Sequence, residues 1–191
     1  GSASIYSARL NHASLIDGVR LASAQTNTHV HLFDHKDINT LGELLKTDQS
    51  TLKMIVTDGV FSMDGDLAPV KALLNLAGQY DALLLLDDAH GFGVLGKHGH
   101  GILEQENISS DRIIYIGTLG KAAGVSGAFV CAQETLIEWL IQKGRPFIYS
   151  TATPPGMCII SPSCVVGILL SFPRHPPPSS PRQRSPAHLH A

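Results

Sequence analysis

Residues 82–86, Ala-Leu-Leu-Leu-Leu, are uninterrupted apolar positions closed by Asp87 and Asp88. A run of this length is too short for a stable helix and matches a strand covered on both faces, as in parallel sheets flanked by helices. Two further runs have the same character, Met54-Ile55-Val56-Thr57 and Ile113-Ile114-Tyr115-Ile116. Between the first two, Pro69 opens a predicted helix whose Val70, Leu73, Leu74 and Ala77 share one face, with Gly78 near its end. Residues 37–46 and 135–143 read as further helices, the second with Glu138 placed to pair with Gln142. Strand, helix and strand in this order require right-handed crossovers. The expected fold class is therefore α/β, in three layers around a parallel-rich sheet.

The length of 191 residues fits about one domain with a sizeable core. Fourteen Lys and Arg against 16 Asp and Glu leave no broad positive field, so neither nucleic acid nor a membrane surface is an expected partner. Cys131, Cys158 and Cys164 form no C-x-x-C pair, which points to a reducing compartment, and a cytoplasmic location is expected. The start, Gly1-Ser2-Ala3-Ser4, has no initiator Met or leader pattern and reads as a cut end. The apolar window 157–172 is broken by Pro162 and its flanking serines and is short of a membrane span.

Composition divides the chain. Of 11 prolines only Pro69 precedes residue 146, and no Asp or Glu follows Glu138. Residues 1–155 are expected to form the folded core, and residues 156–191 a disordered, Pro-rich tail. A frameshift or mispredicted exon would give such a break.

In open α/β sheets ligands bind at the carboxyl ends of strands, so the polar residues after each apolar run matter most. They are the stretch from Thr57 to Asp66, the stretch Asp87-Asp88-Ala89-His90-Gly91, and Gly117-Thr118-Leu119-Gly120-Lys121-Ala122. Asp87 ends a strand of wholly apolar residues and needs a hydrogen-bonding or cationic partner. His90 follows on the same loop. Lys121 stands among Gly120, Ala122, Ala123 and Gly124, which leave room for a bulky group beside an imine-forming amine. A strand-end Asp, a His and a Lys in a Gly/Ala loop suit pyridoxal phosphate, whose ring nitrogen takes an acidic partner and whose aldehyde takes a lysine.

Plainer readings stand beside these. Asp-Asp at a strand end also serves as a helix cap or a turn, and Gly120-Lys121 fails the phosphate-loop pattern, with Tyr115 and Ala122 at two required positions. Asp58, Asp64, Asp66, Asp87, Asp88 and His90 lack regular metal-ligand spacing. His29 and His31 alternate onto one face of a short strand and read as surface.

The stretches LNHASLIDG (10–18), TDGVFSMDGDLAP (57–69), LLDDAHGFGVLGKHGHG (85–101), GTLGKAAGVSGAFV (117–130) and RPFIYSTATPP (145–155) together closely resemble the α-oxoamine synthase family of pyridoxal-phosphate enzymes. The resemblance covers most of residues 5–155 and implies the large domain of the aspartate-aminotransferase fold, fold type I. By resemblance, Lys121 is the cofactor-binding lysine and proton shuttle, and Asp87 the partner of the pyridine nitrogen. His90 resembles the residue that contacts the phenolic oxygen, and His12 the imidazole stacked on the ring. Ser62 and Thr118 resemble further cofactor contacts, and Ser150 or Thr151 the hydroxyl given across a homodimer interface to the partner's phosphate.

The implied reaction is a decarboxylative condensation of an amino acid with an acyl thioester, on coenzyme A or an acyl carrier protein, to an α-amino ketone. GVSGAFV and FIYSTATPP look most like members that join alanine to a pimeloyl thioester in biotin synthesis. Glycine C-acetyltransferase and 5-aminolevulinate synthase types share the cofactor residues, and a catalytically incomplete remnant is the other alternative. The family's amino-terminal phosphate-gripping loop and its carboxyl-terminal carboxylate-binding arginine have no counterpart in these residues.

Overall fold

A computed structural model describes residues 1–149 and residue 151. In chain order the elements are β1 (Ala3–Ala8), α1 (Ala13–Gln25), β2 (Thr28–Phe33), α2 (Ile38–Thr47), β3 (Leu52–Asp58), α3 (Val70–Gln79), β4 (Ala82–Asp87), α4 (Ile102–Gln105), β5 (Ile113–Thr118), β6 (Ala128–Cys131), α5 (Glu134–Lys143) and α6 (Arg145–Ile148). One sheet runs in the order β2-β1-β3-β4-β5-β6, parallel throughout except for the antiparallel β6. The three apolar runs form its centre, and the predicted helices are α3, α2 and α5. Pro69 caps α3, and Asp37 caps α2 by accepting the Thr40 N–H at 3.0 Å.

Register assigns every central side chain to a face, because parallel neighbours in register point the same way. One row, Tyr6-Ile55-Leu84-Ile113, continues with Leu86 and Tyr115 and packs under Leu41 and Leu45 of α2 and Val70, Leu73 and Ala77 of α3. The alternate row is Val56-Leu85-Ile114, of which Val56 and Leu85 pack with Leu15 and Val19 of α1. The two faces with helices on each make the three layers that the sequence implies. Leu84 and Leu86 are fully buried, each worth roughly 1.5–3 kcal/mol relative to exposure.

The α1-facing row has one further rung. Asp58, Asp87 and Ile116 stand in register at the carboxyl ends of β3, β4 and β5. The same alternation that buries Val56 and Leu85 under α1 thus sets two carboxylates side by side at the rim of that face. The proposed tail, 156–191, lies outside the described residues.

Candidate active site

The rim is assembled from three loops. After β1 the chain is turned by the buried Asn11. Its Nδ2 donates to Ser7 Oγ at 3.0 Å and to the Val56 carbonyl at 2.9 Å, and its Oδ1 accepts the Asp58 N–H at 2.9 Å. This clamps the loop to β3 and presents His12 at the start of α1. The His12 N–H donates to Asp58 Oδ2 at 2.8 Å, while its ring Nδ1 accepts the Ser14 N–H at 3.2 Å as the helix cap. A neutral His12 therefore carries its proton on Nε2, the nitrogen turned away from the cap.

Asp58 is buried, and burial raises its carboxyl to about 6, with the Asp87 charge adding to the effect and the His12 N–H opposing it. Half-buried Asp87 accepts the Ala89 N–H on Oδ1 at 3.0 Å, and among the described residues its carboxylate has no other hydrogen-bond partner. His90, in the turn after β4, places Nε2 3.1 Å from Lys121 Nζ in the loop joining β5 to β6. Burial, then the Lys121 and His12 charges, hold the His90 imidazole below its usual range. A neutral His90 accepts a hydrogen bond from the Lys121 ammonium. Among the described residues Lys121 makes no ion pair.

Between these groups is a cleft of about 280 Å³, lined by His12, Asp58, Asp87, His90, Thr118 and Lys121 among others. The loops come close because glycines stand where they meet. A Cβ on Gly93, whose φ is +79°, would lie 2.6 Å from the Ala122 Cβ beside Lys121. Beneath the cleft Asp88, fully buried, points to the opposite face and accepts the Ile102 N–H at 2.7 Å and the Tyr115 hydroxyl at 2.8 Å. Gly59, Gly91 and Gly101 pack directly on its carboxylate. Asp87 faces the cleft, and Asp88, on the opposite face, ties the loop down.

The structure brings His12, Asp87, His90, Thr118 and Lys121 together around this cleft. Thr118 lines the cleft with its hydroxyl donated to the Gly127 carbonyl at 3.2 Å and accepting the Gly120 N–H at 3.3 Å. Ser62, exposed in the turn between Phe61 and Asp66, does not line the cleft, nor does exposed Thr151. Ser150 lies outside the described residues. The conceivable acidic metal set is dispersed: Asp66 turns away to Lys36 at 2.6 Å and His35 at 3.2 Å, and Asp64 is exposed. His29 is exposed, as a surface reading expects, whereas His31 is half-buried and stacks on the buried Tyr6 at 5.0 Å between centroids. Sequence reasoning gave no role to Asn11, and it placed Asp58 within the polar stretch after one apolar run and in the metal alternative without giving it a role of its own. The signal was present in Asp58 ending one apolar run as Asp87 ends the next.

The sequence profile of the aminotransferase class I and II family matches residues 1–158. The chain belongs to that family. It is 57% identical over 155 residues to an 8-amino-7-oxononanoate synthase of Cupriavidus metallidurans, covering 81% of this chain and 37% of the relative. A second synthase of that name, from Janthinobacterium sp., is 54% identical over 81% of this chain and 38% of the relative. The fold is similar to serine palmitoyltransferase of Sphingomonas wittichii (TM-score 0.77, 27% identity, 86% of this chain and 41% of that one). It is also similar to the 8-amino-7-oxononanoate synthase of Francisella tularensis (TM-score 0.67, 33% identity, 87% of this chain and 46% of that one). The chain thus spans less than half the length of these relatives. The matches bear out the family resemblance and the aminotransferase fold drawn from the sequence.

Proposed function

We propose that this chain carries the pyridoxal-phosphate core of an enzyme of the 8-amino-7-oxononanoate synthase type. Such an enzyme condenses alanine with a pimeloyl thioester in biotin synthesis. The observation that carries the reading is the convergence, on one cleft, of an amine without a carboxylate partner, a carboxylate oxygen without a protein donor, and two imidazoles. That donor set fits the cofactor's needs: Lys121 for its aldehyde, Asp87 for its ring N–H, His12 beside its ring and His90 for its phenolic oxygen. When bound, the cofactor supplies an electron sink that makes the Cα proton of an amino acid removable.

The chain's own residues do the rest. Lys121 Nζ is the base that takes and returns the proton at Cα, and before the cofactor binds His90 Nε2, 3.1 Å away, accepts a hydrogen bond from it. Asp87 turns a carboxylate oxygen toward the cleft, and Asp58, buried behind it, fixes His12 through its backbone N–H. Thr118, which lines the cleft from the β5–β6 loop, is the hydroxyl nearest the cofactor's phosphate in this reading. The amino acid, the thioester on coenzyme A or a carrier protein, a homodimeric assembly with Thr151 at its interface, and a cytoplasmic setting belong to the same reading. It is supported by the relatives at 57% and 54% identity.

Deuterium loss from Cα-deuterated L-alanine, followed by NMR with cofactor present, tests the assignment. Exchange abolished by Lys121→Ala, and faster with alanine than with deuterated glycine, is the expected result. Exchange that survives the substitution would refute it. A scaffold without turnover is a second reading, favoured by Ser62 standing away from the cleft; cofactor binding without any exchange would select it.

A further inference from the structure

A second cluster of chemistry-bearing side chains lies on the opposite face of the sheet from the cleft. The loop between β4 and α4 bends at Gly96, Gly99 and Gly101, with φ of +83°, +78° and +85°, angles that side chains other than glycine rarely adopt. His98 and His100 flank Gly99, and Glu104 projects from α4 toward both. The Glu104 carboxylate accepts the backbone N–H of His98 at 3.0 Å and of His100 at 3.1 Å, so the loop backbone pins it between the two imidazoles. The His98 Nδ1 lies 2.5 Å from Oε1 and the His100 Nδ1 3.7 Å from Oε2. One ligand atom from each residue falls within 4.8 Å of the others.

We infer that His98, His100 and Glu104 form a binding site for one divalent transition-metal ion of the zinc class. Two nitrogens and one carboxylate oxygen are the ligand set of an open, tetrahedral zinc site. Metal–ligand bonds of about 2.0–2.2 Å place tetrahedral ligands about 3.3 Å apart. The His100–Glu104 pair already stands near that separation and beyond hydrogen-bond length. The His98–Glu104 pair must open by less than about 1 Å for the ion to replace the shared proton. His98, 57% exposed, has the freedom to do so, while His100 and Glu104 are 6% and 20% exposed and fixed by packing. A neighbouring cavity of about 390 Å³, lined also by Asp111 and Cys131, leaves the fourth position open to water.

A loop held only as a structural turn would need the two backbone N–H bonds to Glu104. It would not need both imidazoles to turn their Nδ1 atoms to the same carboxylate. The site is also wired to the fold, since the Tyr115 hydroxyl that bonds Asp88 lies 3.4 Å from the His100 carbonyl. An occupied site would stiffen the loop that carries His90 at its other end.

The test is calorimetric titration of the full chain with Zn²⁺ after chelator treatment and without pyridoxal phosphate, repeated with Co²⁺ for its absorption spectrum. One ion per chain is expected, with a tetrahedral Co²⁺ spectrum and affinity reduced at least about tenfold by His98→Ala. His29→Ala, an exposed histidine elsewhere, should leave affinity unchanged. Absence of saturable binding at one ion per chain, or binding that His98→Ala does not weaken, would overturn the site. Because His98 is exposed, its variant is expected to keep the fold, which circular dichroism checks.

Discussion

Replacing Asp88 by Asn should remove a loss of stability that the parent chain suffers as pH rises from acid to neutral. The carboxyl is fully buried, and burial raises its pKa from 3.8 to about 6 against the opposing bonds from Ile102 and Tyr115. A pKa higher in the folded than in the unfolded chain means that folding favours the protonated form. The associated stability is fully present below the unfolded value and is lost as pH rises through about 6. The full loss is roughly 3 kcal/mol at 1.36 kcal/mol per pKa unit, of which roughly 2 kcal/mol falls between about pH 4 and pH 7. An asparagine side chain keeps an oxygen for the Ile102 N–H and the Tyr115 hydroxyl and never ionises. Urea unfolding followed by circular dichroism at several pH values measures the difference between variant and parent. That difference should grow by roughly 2 kcal/mol in favour of the Asp88→Asn variant from about pH 4 to pH 7. A difference flat with pH, or one that moves against the variant, would refute the argument.

Other substitutions test the loops that build the rim. Asn11→Ala strands the buried Asp58 N–H and Val56 carbonyl, at about 1–3 kcal/mol each, so urea unfolding should show a loss of about 2–6 kcal/mol. Gly101→Ala places a Cβ against the Asp88 carboxylate at a φ of +85°, and the chain should lose more than about 2 kcal/mol and melt earlier in calorimetry. Leu84→Ala, at a fully buried central position, should cost about 2–5 kcal/mol in the same unfolding assay.

The central strands were legible because β3, β4 and β5 are buried on both faces and therefore written as continuous apolar runs. β1 was not, because Ser4 and Ser7 occupy buried positions in it, satisfied by Ser50 and Asn11 rather than by apolar neighbours. α1 was hidden by an Ala- and Ser-rich face and by a histidine as its cap. β6 has four residues, pairs antiparallel and is mostly exposed, so neither length nor pattern marked it. At the site, Asp87, His90 and Lys121 were readable from their place after strands. Asn11 was not, because its work is done through three hydrogen bonds to groups 4 to 47 residues away. Nothing local in the sequence distinguishes Asp88 from Asp87. The register does, by sending them to opposite faces.

The cofactor site is tested most directly by adding pyridoxal phosphate to the full chain, reducing with borohydride and mapping the modified lysine by mass spectrometry, with Lys121→Ala alongside. Stoichiometric labelling at Lys121, absent in the variant, is the predicted result. Labelling scattered over Lys36, Lys46, Lys53 and Lys143 and unchanged in the variant would contradict the assignment of this cleft.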